Sequence, residues 1–323
     1  MNPHDLSEPL PAPARFKRGR FDMWAFLFTG ATGACTYLII TILFVILGNI
    51  ILNGHSNFTW RFLTGGADKG MYDPATAGVL PMIVGTASRI ILMTIFVIPI
   101  GVITALYMTE YASSTSWHIR IIRGAVANLA GVPSIVFGLF GWGFFLNFIG
   151  QNMDEILHPG GASAVWGKPA LVWASLTLAV MTLPVVVVAT EEALKSIPQG
   201  LREGSLALGA TKLQTVLRIV LPQAMPGILT GGILAISRAA GEVAPILFTG
   251  AVSYYPELPK LLTDPFMDLG YHVFILSTQS PNIEQTRPLL YATVMALLLL
   301  TFVLNIAAII VRAQMRRKMR LLQ

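Results

Sequence analysis

Charge is scarce in this sequence. Of its 323 residues only 12% are Asp, Glu, Lys or Arg, against about 25% in an ordinary soluble domain. A chain this long with so few charges cannot solvate a globular surface, which excludes a typical soluble enzyme, a secreted scaffold and a disordered hub. A single cysteine, Cys35, excludes an internal disulfide and any multi-cysteine metal site. It lies in an apolar run, where a lipid-facing or packed thiol is expected. The five histidines, His4, His55, His118, His158 and His272, fall in tails and loops and never at metal-ligand spacing, so they read as surface residues. No Ser–His or Cys–His pair can be placed at membrane depth, which argues against an intramembrane protease. A phosphate-cradling loop is missing too. Gly167-Lys168 is followed by Pro169, which leaves no hydroxyl for magnesium. The chain is expected to bind no nucleotide or other cofactor itself, and any work it does is driven from outside.

What is present is apolar. Hydrophobic residues make up 54% of the chain and the mean hydropathy is +0.67. A hydrocarbon core of about 30 Å needs roughly 20 apolar residues in a helix. Six stretches qualify: Trp24–Leu52, Ile90–Met108, Ile122–Gly150, Pro169–Thr190, Gln223–Gly250 and Pro288–Val311. The first is too long for a signal-peptide core and is read as a true span. The expectation is an all-α membrane protein with six transmembrane helices over residues 23–311. A Pro-rich basic tail, 1–22, precedes it and is expected to be disordered; a basic tail, 312–323, follows.

An even number of spans places both ends on one side, and lysine and arginine say which. The two tails and the second and fourth loops hold 15 of the 22 basic residues, whereas the opposite loops hold 6, and Arg238 falls inside the fifth span. Both termini are therefore expected in the cytoplasm. The net charge of +6 reflects basic cytoplasmic loops rather than a nucleic-acid partner. Arg89 and Arg287, near outer span ends, are expected to snorkel to the headgroups. The outer segment Ala251–Arg287 reads as a re-entrant stretch or a short surface helix.

The cytoplasmic segment 191–222 is more than a linker. Its pattern predicts two short amphipathic helices, one carrying Leu201, Ser205 and Leu208, the other Leu213, Val216, Leu217 and Val220 on one stripe. Gly209 between them permits positive φ or a close approach by another chain. Pro222 is expected to close the second helix before the fifth span. Two readings fit: an interfacial helix pair on the headgroups, or an element that docks into a cytoplasmic partner.

Here the residues carry a resemblance. Glu203-Gly204-Ser205, then Gly209, then Ile219-Val220-Leu221-Pro222 is similar to the EAA loop of ABC-importer permeases. Gly204-Ser205 stand where two alanines are usual, and all four are small. The resemblance implies that Glu203, Gly204, Ser205, Gly209, Ile219, Leu221 and Pro222 couple this chain to an ATPase. Asn128–Gly141 and Leu229–Pro245 further resemble the permeases of phosphate-specific importers. Ala244–Gly250, the aromatic outer loop after it and the basic C-tail are closer to the PstA-type than to the PstC-type subunit. The implied fold is the type I importer permease. The implied assembly holds a homologous PstC-type permease, two ATP-binding subunits that use ATP-Mg, and a periplasmic or extracellular phosphate-binding protein, in a bacterial plasma membrane. Inorganic phosphate is the implied cargo. Another oxyanion, or a passive channel or anchoring subunit, is the alternative.

Inside the fifth span, Arg238 and Glu242 stand four apart, so one helix face is expected to present both. A charge at mid-bilayer costs about 2.5–3.5 kcal/mol on insertion scales, so the pair must face the bundle interior or a wet cavity. It is read either as a structural bridge or as an anion site in which the planar Arg238 fork holds an oxyanion and Glu242 limits its residence. Gly231-Gly232, Gly241, Pro226 and Pro245 thin or interrupt the helix nearby. Gly131, Pro133, Ser134 and Gly138 are either a packing seam or pore lining, with Ser134 as a minor donor to substrate.

Overall fold

The computed structural model describes residues 23–67, 70–112, 116–161 and 163–320; the expected tail 1–22 lies outside them. The chain divides into two compact units, Met1–Asn49 and Ile50–Gln323. In order, the helices are α1 (Met23–Gly54), α2 (Trp60–Thr64), α3 (Leu80–Leu106), α4 (Trp117–Ala130), α5 (Ser134–Phe140), α6 (Gln151–Leu157), α7 (Leu171–Lys195), α8 (Gln199–Ala207), α9 (Lys212–Thr215), α10 (Leu221–Ala240), α11 (Leu269–Thr278) and α12 (Ile283–Arg320). Three stretches of wider π-helical turns, Tyr107–Tyr111, Gly141–Gly150 and Val216–Val220, join or extend them. Extended pairing among the described residues is confined to one bridge, Ala251 to Phe266.

Six helical stretches are long and apolar enough to cross a membrane: Met23–Gly54, Leu80–Tyr111, Ser134–Leu157, Leu171–Lys195, Lys212–Ala240 and Ile283–Arg317. Each overlaps one expected span, and the differences have local causes. In α1, Trp24, Phe28, Tyr37 and Phe44 are exposed, as is Cys35, which is the chemistry of a lipid-facing helix. The second span begins ten residues earlier than hydropathy suggested, because Arg89 is accommodated inside it. The third begins later. Pro133 disfavours helix at Val132, so Ile122 to Ala130 belong to the separate amphipathic α4, and the span starts at Ser134. The fifth ends at Ala240 rather than Gly250, followed by turns from Gly241 to Gly250. The last helix continues through residues 312–320.

Helix α7 is the central element, with α3 and α10 against it. Ile90, Met93 and Val97 of α3, Leu178, Met181 and Val186 of α7, and Ala235 and Ala239 of α10 form one buried cluster with Phe137. The hydroxyls of Ser175, Thr177 and Thr182 are fully buried and donate to their own helix at Leu171 O, Trp173 O and Leu178 O (2.7, 2.7 and 2.8 Å). That removes the penalty of an unpaired polar group in an apolar interior. A helix leaves its first N–H groups without intrahelical acceptors. Around the start of α7 this demand is met by the loop after α10: Ala170, Leu171 and Val172 N–H donate to Thr249, Asp264 and Leu262 carbonyls at 3.0, 2.9 and 3.0 Å. The segment expected to be re-entrant or a surface helix is thus folded onto the core, and it includes α11, whose His272 is buried rather than on the surface (3% exposed).

Candidate functional site

The segment between the fourth and fifth spans folds as a helical hairpin. Helix α7 runs to Lys195, α8 follows Pro198, and the chain reverses at Gly209, whose φ is +84°. A Cβ there would meet nothing within 4 Å, so within this chain the requirement at Gly209 is one of backbone conformation and not of space. The return helix opens with a reciprocal cap: Thr211 Oγ1 accepts from Gln214 N–H at 3.3 Å, and Gln214 Oε1 accepts from Thr211 N–H at 2.9 Å. Ser205 and Thr215 hydroxyls meet at 2.9 Å and tie the two arms together.

Two expectations for this segment are corrected. Pro222 does not close a helix. It lies in the first turn of α10, continuous with α9 through the π-helical turns Val216–Val220. A proline lacks an N–H and crowds the carbonyl four residues back; the wider turns just before it relieve both demands without a break. The expected apolar stripe also divides. Val216 and Val220 are buried, at 3% and 0% exposure, while Leu213 and Leu217 face outward with Leu201 and Leu206. Leu208 is 91% exposed. Glu203 and Gly204 are exposed beside it, Ser205 is half-buried, and Ile219, Leu221 and Pro222 are half-buried on the returning arm.

Sequence reading missed what holds this hairpin in place. Arg202 grips Glu110, in the last turn of the second span, through Nε (3.2 and 3.3 Å) and Nη2 (2.8 Å). It also donates to Ile197 O and Leu194 O, at 2.7 and 2.8 Å. The two side chains are 17% and 8% exposed. Residues 92 positions apart carry no local signal of such a contact. Arg202→Gln leaves Glu110 largely buried and short of its charge partner, an expected loss of about 2 kcal/mol. Faster tryptic cleavage after Lys195 and Lys212 in isolated membranes is the expected result; unchanged cleavage would mean that the hairpin is held by its other contacts.

Two arginines within the apolar spans differ sharply. Arg238 occupies the last turn of α10. Glu242 is two residues past the helix end, so the pair straddles the terminus instead of sharing a helix face. Their closest approach is 3.7 Å, Nε to Oε1, and their side chains are 40% and 23% exposed. Among the described residues Arg238 donates no hydrogen bond, so its planar fork is open. Arg89, expected to snorkel, is instead fully buried. Its Nε donates to Asp268 Oδ2 at 2.7 Å, Nη1 to Ala239 O at 2.9 Å and Nη2 to Ala240 O at 3.4 Å. A signal was available: Asp268 is a lone acid between Phe266-Met267 and Leu269-Gly270.

The small residues singled out by sequence separate into two groups. Gly231 and Gly232 are packing positions: a Cβ would stand 2.7 Å from Ala189 Cβ and 3.0 Å from Ile98 Cδ1. Gly138 packs on Ala244 and Pro245 in the same way. A Cβ on Gly241 would meet nothing within 4 Å. Gly131 ends α4 as its cap, Pro133 precedes the third span, and Pro226 lies inside α10. Ser134 is the first residue of the third span, half-buried, with a hydroxyl that has no partner among the described residues.

Comparison with known proteins adds three findings. The family described as binding-protein-dependent transport system inner membrane component matches residues 97–321. Relatives include a probable ABC transporter permease, YqgI, of Bacillus subtilis, 32% identical over 78% of this chain and 83% of that one. The phosphate transport system permease PstA 1 of Mycobacterium tuberculosis is 34% identical over 76% and 72%, and PstA of Yersinia pestis 32% over 74% of each chain. Among solved structures, a chain of a bacterial alginate ABC transporter aligns with a TM-score of 0.56 at 15% identity, covering 92% of this chain and 98% of that one. The MetNI methionine ABC transporter aligns at 0.52 and 18% identity, covering 74% and 94%.

Proposed function

The chain belongs to the inner membrane components of binding-protein-dependent transport systems, and from that premise we propose that it carries inorganic phosphate into the cytoplasm by alternating access, with Arg238 and Glu242 at the anion's passage. It is a multi-pass ABC-importer permease with the type I fold. The cargo assignment rests on one observation above the others: an arginine in the last turn of an apolar span, whose fork is open and whose acid partner stands at a loose 3.7 Å. A guanidinium suits a tetrahedral oxyanion because it offers parallel donors as well as charge. Glu242 would hold the fork between passages and repel the anion, keeping its stay short. Ser134 is proposed as an additional donor. Relatives named as phosphate permeases at 32–34% identity support the same cargo.

The remaining assembly follows from this reading. The hairpin with exposed Glu203, Gly204, Leu208 and Gly209 is proposed to dock in an ATPase subunit, with Ser205, Ile219, Leu221 and Pro222 fixing its arms. Two such ATPases, using ATP-Mg, a homologous PstC-type permease, a phosphate-binding protein outside and membrane lipid complete the set; nucleic acid has no part. This chain, with no phosphate-cradling motif, hydrolyses nothing itself and holds no cofactor or metal. Both termini face the cytoplasm, as the basic loops require.

The test is uptake of labelled phosphate by the complex reconstituted with its binding protein and ATPases. Uptake that needs ATP and is competed by arsenate but not by sulfate is expected. ATP-driven uptake of a different solute, with none of phosphate, would overturn the cargo.

A further inference from the structure

Arg89 makes more contacts than a counter-ion for one acid requires. Its carboxylate partner, Asp268, is already well supplied: Thr86 Oγ1 donates to Oδ2 at 2.9 Å, and Gly270 and Tyr271 N–H donate to Oδ1 at 2.9 and 3.2 Å, which caps α11. One donor from Arg89 completes that site. The other arm of the fork reaches in a different direction, to the carbonyls of Ala239 and Ala240. These are the last two residues of α10 and directly follow Arg238. Ala239 O also accepts from Glu242 N–H at 3.2 Å, so the same carbonyl ties Arg89 to Glu242, and both carbonyls carry the negative end of the helix dipole, which favours a cation there.

The far side of the same site is fixed as well. A Cβ on Gly270, in the first turn of α11, would stand 2.9 Å from Val243 Cγ2, so α11 lies directly against the residue after Glu242. Helix α3 approaches the segment before α11 so closely that a Cβ on Gly85 would collide with Met267 O. Gly241 and Glu242 are therefore bracketed, by Ala239 and Ala240 on one side and Val243 on the other. Both brackets are fastened at the Arg89–Asp268 knot.

We infer that Arg89 is a positioning residue for the translocation site, holding the end of α10 so that Arg238 and Glu242 keep their places. The inference rests on the reading that this pair meets the anion. The planar fork is essential to it, since an ammonium gathers its three donors on one nitrogen and does not reproduce the spaced Nε, Nη1 and Nη2 that reach Asp268 on one side and two carbonyls on the other.

The test uses Arg89→Lys in the reconstituted complex, which keeps a cation beside Asp268, with Arg89→Met/Asp268→Asn as the variant that removes both charges. Phosphate delivered per ATP hydrolysed, at saturating loaded binding protein, does not depend on how many complexes are active. It is expected to fall about tenfold in Arg89→Lys, part of the roughly 10²-fold that a full 1 Å misplacement can cost a geometry-dependent site. A second readout is independent of cargo. Gly241 has a negative φ of −91° and open space for a side chain, so Gly241→Cys in a Cys35→Ser background accepts a spin label. Its spectrum is expected to become more mobile in both Arg89 variants. Uptake and hydrolysis falling together at a constant ratio, with label mobility unchanged, would make Arg89 a structural counter-ion only and overturn the inference. If the native complex moves no phosphate, the cargo reading fails by itself. The label then decides the positioning role, an unchanged spectrum overturning it.

Discussion

Arg238→Gln is expected to abolish phosphate uptake, by about a hundredfold or more, in complexes that assemble at native levels. The size follows from what is removed. Truncating one charge of a desolvated contact costs about 2–5 kcal/mol, and glutamine keeps length and hydrogen bonding but neither charge nor fork. Assembly survives because the residue carries little of the fold. Its 3.7 Å contact with Glu242 joins two partly exposed groups, an arrangement worth about 0–1 kcal/mol, and glutamine is easier to insert than arginine. The structural-bridge reading therefore makes an opposite forecast: near-native transport with a barely altered protein. Arg238→Lys separates charge from shape, and strong impairment is expected because a point charge cannot reproduce bidentate contact. Glu242→Gln should also slow transport, by letting the fork keep the anion. Labelled phosphate uptake at matched protein levels distinguishes these results. Native uptake by Arg238→Gln would leave the cargo resting on the relatives alone.

The contrast between Arg238 and Arg89 also shows where sequence reading reached and where it stopped. Six apolar runs are legible because lipid leaves a helix no other solvent, and the same reading put Arg238 inside the fifth span, where the structure finds it in the last helical turn. Hydropathy stopped the second span at Ile90, since an arginine looks like a boundary. The acid that neutralises it lies 179 residues away, and no periodicity records that distance. Pro222 misled for a related reason: proline reads as a break, but π-helical turns over Val216–Val220 carry the helix past it. The end of α10 was invisible too. Gly241 and Pro245 permit a stop, while the clamp on the carbonyls of Ala239 and Ala240 comes from another helix. Of the two uses of glycine that the sequence allows at Gly209, positive φ or close approach by another chain, the first is present, because a turn between two helical patterns depends on one local residue.

That turn gives the second large effect. Gly209→Asp is expected to leave the chain in the membrane but disconnect hydrolysis from transport. Aspartate is among the few L-residues that visit the left-handed region readily, and no atom of this chain lies within 4 Å of the added Cβ. The hairpin itself should therefore survive. A docked ATPase would meet a new side chain and a negative charge at the tip, beside the 91%-exposed Leu208. Gly209→Val provides the opposite perturbation: it adds no charge, but a β-branched residue at φ +84° is a steric outlier, so the turn itself should deform. Co-purification with the ATPase and hydrolysis stimulated by loaded binding protein are measured for both. Loss in both variants identifies the tip as the contact surface. Loss in Gly209→Val alone would mean that the ATPase needs the turn's shape and not its bare backbone, placing the contact along Leu201, Leu206 and Leu213 instead. Native behaviour of both would leave the hairpin an interfacial element resting on the headgroups, because a docking tip cannot ignore its own distortion.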